Sequence, residues 1–283
     1  VEPLAPKEFP GLKEVHAVDA AGVHPLLLAI GQERYMPFRE RVPEELLTIA
    51  NHLLGKGQTS LAKYLFIACD EDEPNLTTHR IYDFFQHMLS RVDLSRDLHF
   101  QTRTTIDTLD YSGDDWNAGS KLVVAARGPA RRVLSAEIPN QLSLPGSCQR
   151  IDLVMPGVLA VSFDAFTNYA TAKKELETLC DAMSDKDLDQ WPLWILTEDS
   201  KWMSAQLNNF LWAAFTRSNP SKDIYGLKAE VIDKHWSCKA PLIIDARIKS
   251  HHAPVLEPDQ AVSNRVDGMF AKGGMLHGKI KGL

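Results

Sequence analysis

The chain has 283 residues, 44% hydrophobic and 24% charged, with a formal net charge of −6. That is ordinary globular composition, and the acidic balance argues against a nucleic-acid binder, which carries a basic excess. No apolar run approaches the roughly 18 residues of a membrane helix, so no membrane span is expected.

The N-terminal stretch VEPLAPKEFPG has no basic region followed by an apolar one, so it does not read as a signal peptide. It also has no initiator Met, as expected of a processed chain or a piece of a longer one. Cys69, Cys148, Cys180 and Cys238 lie far apart, with no CxxC or zinc spacing. Reduced, mostly buried thiols in a cytoplasmic protein are expected.

Taken in chain order, PLLLAI (25–30) reads as a buried strand and EELLTIANHLL (44–54) as a helix. KYLFIACDED (63–72) reads as a second strand ending in acids, which are expected to favour the start of the next helix. In that helix Ile81, Phe84, Phe85, Met88 and Leu89 form one apolar stripe. A corner, SRVDLSRDLHF (90–100), leads toward the next strand, and KLVVAAR (121–127) reads as the last strand. The stretch RRVLSAEIPNQLSLPGSCQR (131–150) then reads as linker, with room for a short strand.

The same series then recurs. VLAVSF (158–163) matches the first strand, KKELETLCDAM (173–183) the first helix and PLWILTEDS (192–200) the second strand. Leu207, Phe210, Leu211, Ala214 and Phe215 repeat the stripe at an offset of 126, and TRSNPSKDIYG (216–226) repeats the corner. PLIIDAR (241–247) closes the series. Alternating strands and helices with doubly apolar strands predict an α/β fold. It is built as two tandem, duplicated units, each a small, mostly parallel sheet flanked by helices, over about 22–128 and 154–248. As domains these correspond to 1–145 and 146–283.

At the corners Arg91 and Arg217 fall where a cation suits the C-terminal end of a helix. Asp97 and Asp223 are placed to accept hydrogen bonds from backbone N–H groups of the turn. Turn chemistry accounts for both corners, the alternative being a substrate-binding role for either Arg.

AKYLFIACDEDEP, SRVDLSRDLHF, RTTIDTLDYSG and NAGSKLVVAA together resemble the UbiD-like decarboxylases. The resemblance runs well over 9–128 and rests on several short motifs in order. It identifies the chain with the C-terminal region of a prenylated-FMN enzyme acting on aromatic or α,β-unsaturated acids. It implies no catalytic, cofactor or metal residue in this chain. The prenylated FMN, a divalent metal (Mn or Mg) and K are expected in a flavin-binding domain absent from this sequence, which contains no EGP tripeptide. The implied partners are that domain, further copies of the chain and a small aromatic acid.

By the same resemblance, Ile106, Asp107, Thr108, Leu109 and Tyr111, with Asp110 among them, line the substrate side of the cleft. Thr108 stands where the family often has a larger side chain, which would leave room in the pocket. The alternative reading is an edge strand of alternating polarity.

Other signals are weaker. His251–His252 and His16/His24 lack the spacing of a metal site. GQTSLAKY precedes a strand, whereas a phosphate loop follows one. No G-x-G-x-x-G follows any strand, which disfavours a dinucleotide binder. The tail places Val262, Val266, Met269 and Phe270 at helical spacing. The competing function is a non-catalytic α/β assembly module without cofactor.

Overall fold

The computed structural model describes residues 2–35, 38–40, 42–113, 115–140, 142, 144–254 and 259–279. Gln141 and Ser143 of the expected linker and the last four residues of the tail lie outside these. The chain forms two compact units, Val1–His252 and Ala253–Leu283.

The larger unit contains two five-stranded sheets of the same connectivity. The first holds β1 (Leu12–Ala17), β2 (Leu26–Gly31), β3 (Tyr64–Cys69), β4 (Leu98–Thr104) and β5 (Gly119–Ala126), ordered β1-β2-β3-β5-β4. The second holds β6 (Cys148–Met155), β7 (Val158–Phe163), β8 (Leu193–Thr197), β9 (Ile224–Ile232) and β10 (His235–Asp245), ordered β6-β7-β8-β10-β9. In each sheet the central pairings are parallel and the outer ones antiparallel. The fold is α/β with two tandem related units, as the repeat predicts.

Each unit nevertheless starts one strand earlier than its apolar runs suggest. β1 and β6 are half-buried edge strands, and neither carries the continuous apolar run that marks a strand covered on both faces. The linker's last residues, Cys148–Arg150, already belong to β6.

Seven helices accompany the sheets among the described residues of this unit. They are α1 (Ala5–Glu8), α2 (Glu45–Leu54), α3 (Ile81–Arg91), α4 (Tyr169–Met183), α5 (Ser200–Ala205), α6 (Leu207–Thr216) and α7 (Pro220–Asp223). Side chains alternate across each strand, and the cores follow that period. Tyr64, Phe66 and Ala68 of β3 point into one core, and Leu65, Ile67 and Cys69 into another. β8 divides likewise, Leu193 and Ile195 against Trp194 and Leu196.

The outer core of the first sheet is covered by Leu46, Ile49, Ala50 and Leu53 of α2, and that of the second by Leu176, Leu179 and Met183 of α4. The third core is shared. Phe84, Phe85 and Met88 of α3 and Phe210, Leu211 and Phe215 of α6 lie in one apolar cluster with strands of both sheets. Phe215 meets Tyr64 edge-on at 5.1 Å, and Phe85 meets Phe210 at 5.8 Å. Each buried aromatic contributes roughly 1.5–3 kcal/mol by area removed from water, so α6 stabilises the first sheet as well as its own.

Both corners use the same bond. Asp97 accepts from the Asp93 N–H at 2.8 Å, and Asp223 from the Asn219 N–H at 2.6 Å. Arg91 ends α3 and donates to the carbonyls of His87 on the helix and Gly128 beyond β5, tying the helix end to that strand.

Asp70–Asp72 correct an expectation. They form a separate 3-10 turn, and α3 starts only at Ile81. Asp70 pairs with Lys13 at 2.5 Å, Glu71 with Arg34 at 2.7 Å, and Asp72 accepts from the Gly128 N–H. Asp199, in the second copy, does cap a helix, accepting from Trp202 N at the start of α5.

The smaller unit holds α8 (Gln260–Phe270), capped by Asp259, which accepts from Ala261 N and Val262 N. Val262, Val266, Met269 and Phe270 all lie on this helix, which has no buried residue.

Candidate functional site

The longest connection within the first sheet's second half runs over 105–118, from β4 to β5. Its anchor is Ile106, fully buried. The segment folds back so tightly that a Cβ on Gly113 would sit 2.2 Å from the Ala118 carbonyl oxygen and 2.7 Å from Ile106 Cδ1. Only glycine tolerates that approach.

Two carboxylates then fix the loop. Asp107 accepts from the Leu109 N–H at 3.0 Å and pairs with the His24 ring. Burial opposes its charge, but His24 and the backbone N–H outweigh that and hold the carboxyl below the usual aspartate range. Asp110 accepts from the Ser112 N–H and hydroxyl and lies 2.7 Å from Lys63 Nζ. Lys63 is 1% exposed and Asp110 3%, and the same ammonium donates to the Ser112 hydroxyl. Burial pushes the Lys63 amine below its ordinary value, and Asp110 opposes the shift. A buried pair of this kind fixes geometry, because losing either partner strands a charge away from water.

This clamp holds one wall of a cleft of about 540 Å³. Thr108, Asp110, Tyr111 and Trp116 line it from the first copy, and Tyr169, Lys222 and His251 from the second. Tyr169 is the first residue of α4 and Lys222 lies on α7; the ammonium of Lys222 sits 5.1 Å from the Tyr169 ring centroid.

Apart from the residues that line the cleft, a buried polar layer bridges the copies. Tyr64 Oη and Ser218 Oγ are 2.6 Å apart, Ser120 donates to Asn219, and Ser120 Oγ accepts from Ser221 N. Lys249 lies 3.3 Å from Asp223 and donates to the Asp245 carbonyl. Burial raises the Asp223 carboxyl to about 6 against the pull of Lys249. Lys121 donates to the carbonyls of Ser60 and Ala62, and burial lowers its amine to about 8.

Of the five residues singled out in the sequence, Thr108 and Tyr111 are on the cleft wall. Ile106 lies beneath the loop as its anchor, Asp107 turns to His24, and Leu109 is 77% exposed without lining the cleft. Sequence reasoning missed Lys63 and Ser112, and it missed the contribution of the second copy. Lys63 sits at the start of an apolar run, and a lysine there was a signal for a buried partner. Nothing in the sequence marked Tyr169 or Lys222. His251 lines the cleft, whereas the Nε2 of His252 is buried without a hydrogen-bond partner. His16 stacks on His79 at 4.3 Å.

Chemically the cleft offers aromatic surfaces, a hydroxyl and charges of both signs, a combination suited to binding and orienting a planar polar group. Among the described residues no three His, Cys, Asp or Glu side chains converge on a metal position. All four cysteines are free, with Cys69 and Cys238 buried. No helix among the described residues is long and apolar enough to cross a membrane.

Residues 1–126 match the family model of the 3-octaprenyl-4-hydroxybenzoate carboxy-lyase C-terminal domain. An uncharacterized protein of Chlamydia trachomatis serovar D is 30% identical over 270 residues, 95% of this chain and 43% of its own length. A Chlamydia pneumoniae protein, named as one subunit of a 4-hydroxybenzoate decarboxylase, is 29% identical over 271 residues, 94% of this chain and 42% of its own. The chain thus spans less than half the length of these relatives. Among solved structures, the vanillic acid decarboxylase of Sedimentibacter hydroxybenzoicus in its closed form aligns with a TM-score of 0.37 and 15% identity, over 52% of this chain and 28% of that one. The motif-bearing loop on the cleft thus lies within residues 1–126, the part of the chain that matches the 3-octaprenyl-4-hydroxybenzoate carboxy-lyase C-terminal domain.

Proposed function

We propose that this chain is the C-terminal part of a UbiD-type decarboxylase that removes carboxylate from aromatic or α,β-unsaturated acids, and that it is inactive alone. The observation that carries this reading is the position of the 106–116 segment, whose motif resembles the family's substrate-side loop and which forms one wall of the cleft. Thr108, with Asp110, Tyr111 and Trp116, faces the substrate side; Ile106 and Asp107 hold the segment in place, and Leu109 stands at its rim.

Prenylated FMN, a divalent metal and K belong in this reading to a flavin-binding segment outside this chain. The described residues of this chain bring no three metal-ligating side chains together. The naming of the C. pneumoniae relative as one subunit of a decarboxylase, taken over to this chain, supports assembly with a separate flavin-binding partner. The chain also associates with further copies of itself, works in the cytoplasm and is organised as domains 1–145 and 146–283.

The test is reconstitution. The chain is mixed with a flavin-binding UbiD segment loaded with prenylated FMN, and CO₂ release from 4-hydroxybenzoate is followed. Release is expected from the mixture and from neither part alone. A chain that binds the flavin tightly by itself contradicts the assignment of the cofactor to the partner. A chain that associates but adds nothing to turnover is the non-catalytic module instead.

A further inference from the structure

A second cleft, of about 530 Å³, lies between β4 of the first sheet and the β9–β10 hairpin of the second, and it shares no lining residue with the first. His99 lines it from β4 and His235 from the first position of β10. Their ring centroids are 5.4 Å apart, with the planes inclined at 56°. The Nε2 atom of each is buried and has no hydrogen-bond partner. A buried polar atom left unpaired is costly, and two of them on neighbouring rings make one shared ligand an economical way to satisfy both.

We propose that His99 and His235 form a two-imidazole site for a divalent transition metal of the zinc or copper class, joining one copy of the repeat to the other. Metal–nitrogen bonds of about 2.0–2.1 Å in a tetrahedral arrangement place two ligating imidazoles with centroids roughly 5–6 Å apart. The observed separation falls in that range without movement of either strand. The strands are held in register across the cleft: Cys238 N donates to the Leu94 carbonyl at 3.1 Å, and Phe100 meets Trp236 edge-on at 5.4 Å. The rings therefore reach the site already positioned.

Imidazole selects zinc, copper or nickel over magnesium and calcium, which prefer oxygen. No third His, Cys, Asp or Glu joins the pair among the described residues. Water completes the coordination. A ligand from each copy means that the metal binds the assembled pair of sheets and not the unfolded chain, so it stabilises the folded state by mass action.

The chain contains ten histidines, so the experiment must read this site specifically. The chelator-treated full chain is titrated with Cu²⁺ and, separately, Zn²⁺ at neutral pH. One tight equivalent is expected, with two-nitrogen equatorial ligation in the Cu²⁺ electron paramagnetic resonance spectrum and a rise in Tm. His99→Gln and His235→Gln should each weaken that equivalent by at least about tenfold and remove the rise in Tm. His277→Gln, on the smaller unit, should change neither. Because a substitution could itself perturb folding, the unsubstituted chain with ¹⁵N-labelled imidazoles gives an independent reading. One equivalent of Zn²⁺ should move the Nε2 resonances of these two rings first. Binding that survives both substitutions, or Nε2 resonances that stay in place at one equivalent, overturns the proposal.

Discussion

The two sheets agree in strand order and in the direction of every pairing, yet they differ in how their last two strands are joined. In the first sheet the join is the segment 105–118, clamped by Ile106, Asp107 and Asp110, and it forms a cleft wall. In the second it is two residues, Asp233 and Lys234, both at positive φ (49° and 67°), as in a type I′ hairpin turn. β9 and β10 are correspondingly longer, at nine and eleven residues against seven and eight for β4 and β5. One scaffold thus carries an elaborated loop in one copy and a minimal turn in the other. The elaborated copy takes its opposite cleft wall from Tyr169, Lys222 and His251 of the other.

That contrast can be broken most sharply at the clamp. Lys63→Met leaves the Asp110 carboxylate buried without its cation, and a loss of about 3–5 kcal/mol in unfolding free energy is expected. The double variant Lys63→Met/Asp110→Leu should recover much of that loss, since it removes both charges. Denaturant titration of the single and double variants checks this; a single-variant loss below about 1 kcal/mol would contradict a structural clamp.

The corners give the next effect. Asp223→Ala unpairs the Asn219 N–H and leaves Lys249, fully buried, without a carboxylate, at an expected cost of about 3 kcal/mol. Asp97→Ala unpairs the Asp93 N–H, but the freed Arg96 is 33% exposed and can hydrate, so about 1–2 kcal/mol is expected. Equal losses would mean that the two corners had not diverged in energy as they have in surroundings.

A smaller effect is pH dependence. Burial lowers His87 to about 4 and His252 to about 3. Their folded values lie below the unfolded value of about 6.5, so the unfolded chain takes up these protons first. The stability they contribute is present above that pH and is lost as pH falls toward their folded values. Each site loses about 1.4 kcal/mol for every pH unit that separates its folded and unfolded values. Asp223, raised to about 6, works in the opposite direction, because the folded state gains its proton first. The two histidines outweigh the one aspartate, so unfolding free energy should fall between pH 7 and pH 5, and His252→Gln should flatten the profile. A more stable protein at pH 5 would reverse this assignment.

The smallest expected effect is at the cleft rim. Trp116 is 80% exposed, and Trp116→Ala should change the stability of the chain by no more than about 0.5 kcal/mol. If the cleft serves the proposed decarboxylase, the same substitution should lower CO₂ release in the reconstituted assembly. A variant that is both stable and fully active would remove Trp116 from the site.

Much of this scaffold could be read in advance because burial on both faces leaves a continuous apolar signal. KYLFIAC and PLWILT read as strands for that reason, and the stripes through Phe85 and Phe210 read as helices because one apolar face recurs at helical spacing. β1 and β6 escaped because an edge strand needs only one apolar face. The corner carboxylates were legible because Asp in a turn has few better partners than the backbone. The cleft was legible only on one side. Tyr169, Lys222 and His251 reach it through tertiary packing between the copies, and no local pattern encodes that. The facing of His99 and His235 escaped for the same reason.

The shared placement of α6 also bears on synthesis. Phe210 and Phe215 cover aromatic residues of the first sheet, but they leave the ribosome late. The last strand of that sheet ends at Ala126, and α6 is complete only at Thr216, 90 residues later. At about 5–20 residues per second the nascent first sheet waits roughly 5–18 s for its lid. During that interval Tyr64, Phe66 and Phe85 are open to chaperones, or to another nascent chain at the same stage. Protease protection of ribosome-bound chains stalled before and after residue 216 should rise sharply once α6 has emerged. A first sheet already protected well before that length would show that it closes its core without help from the second copy.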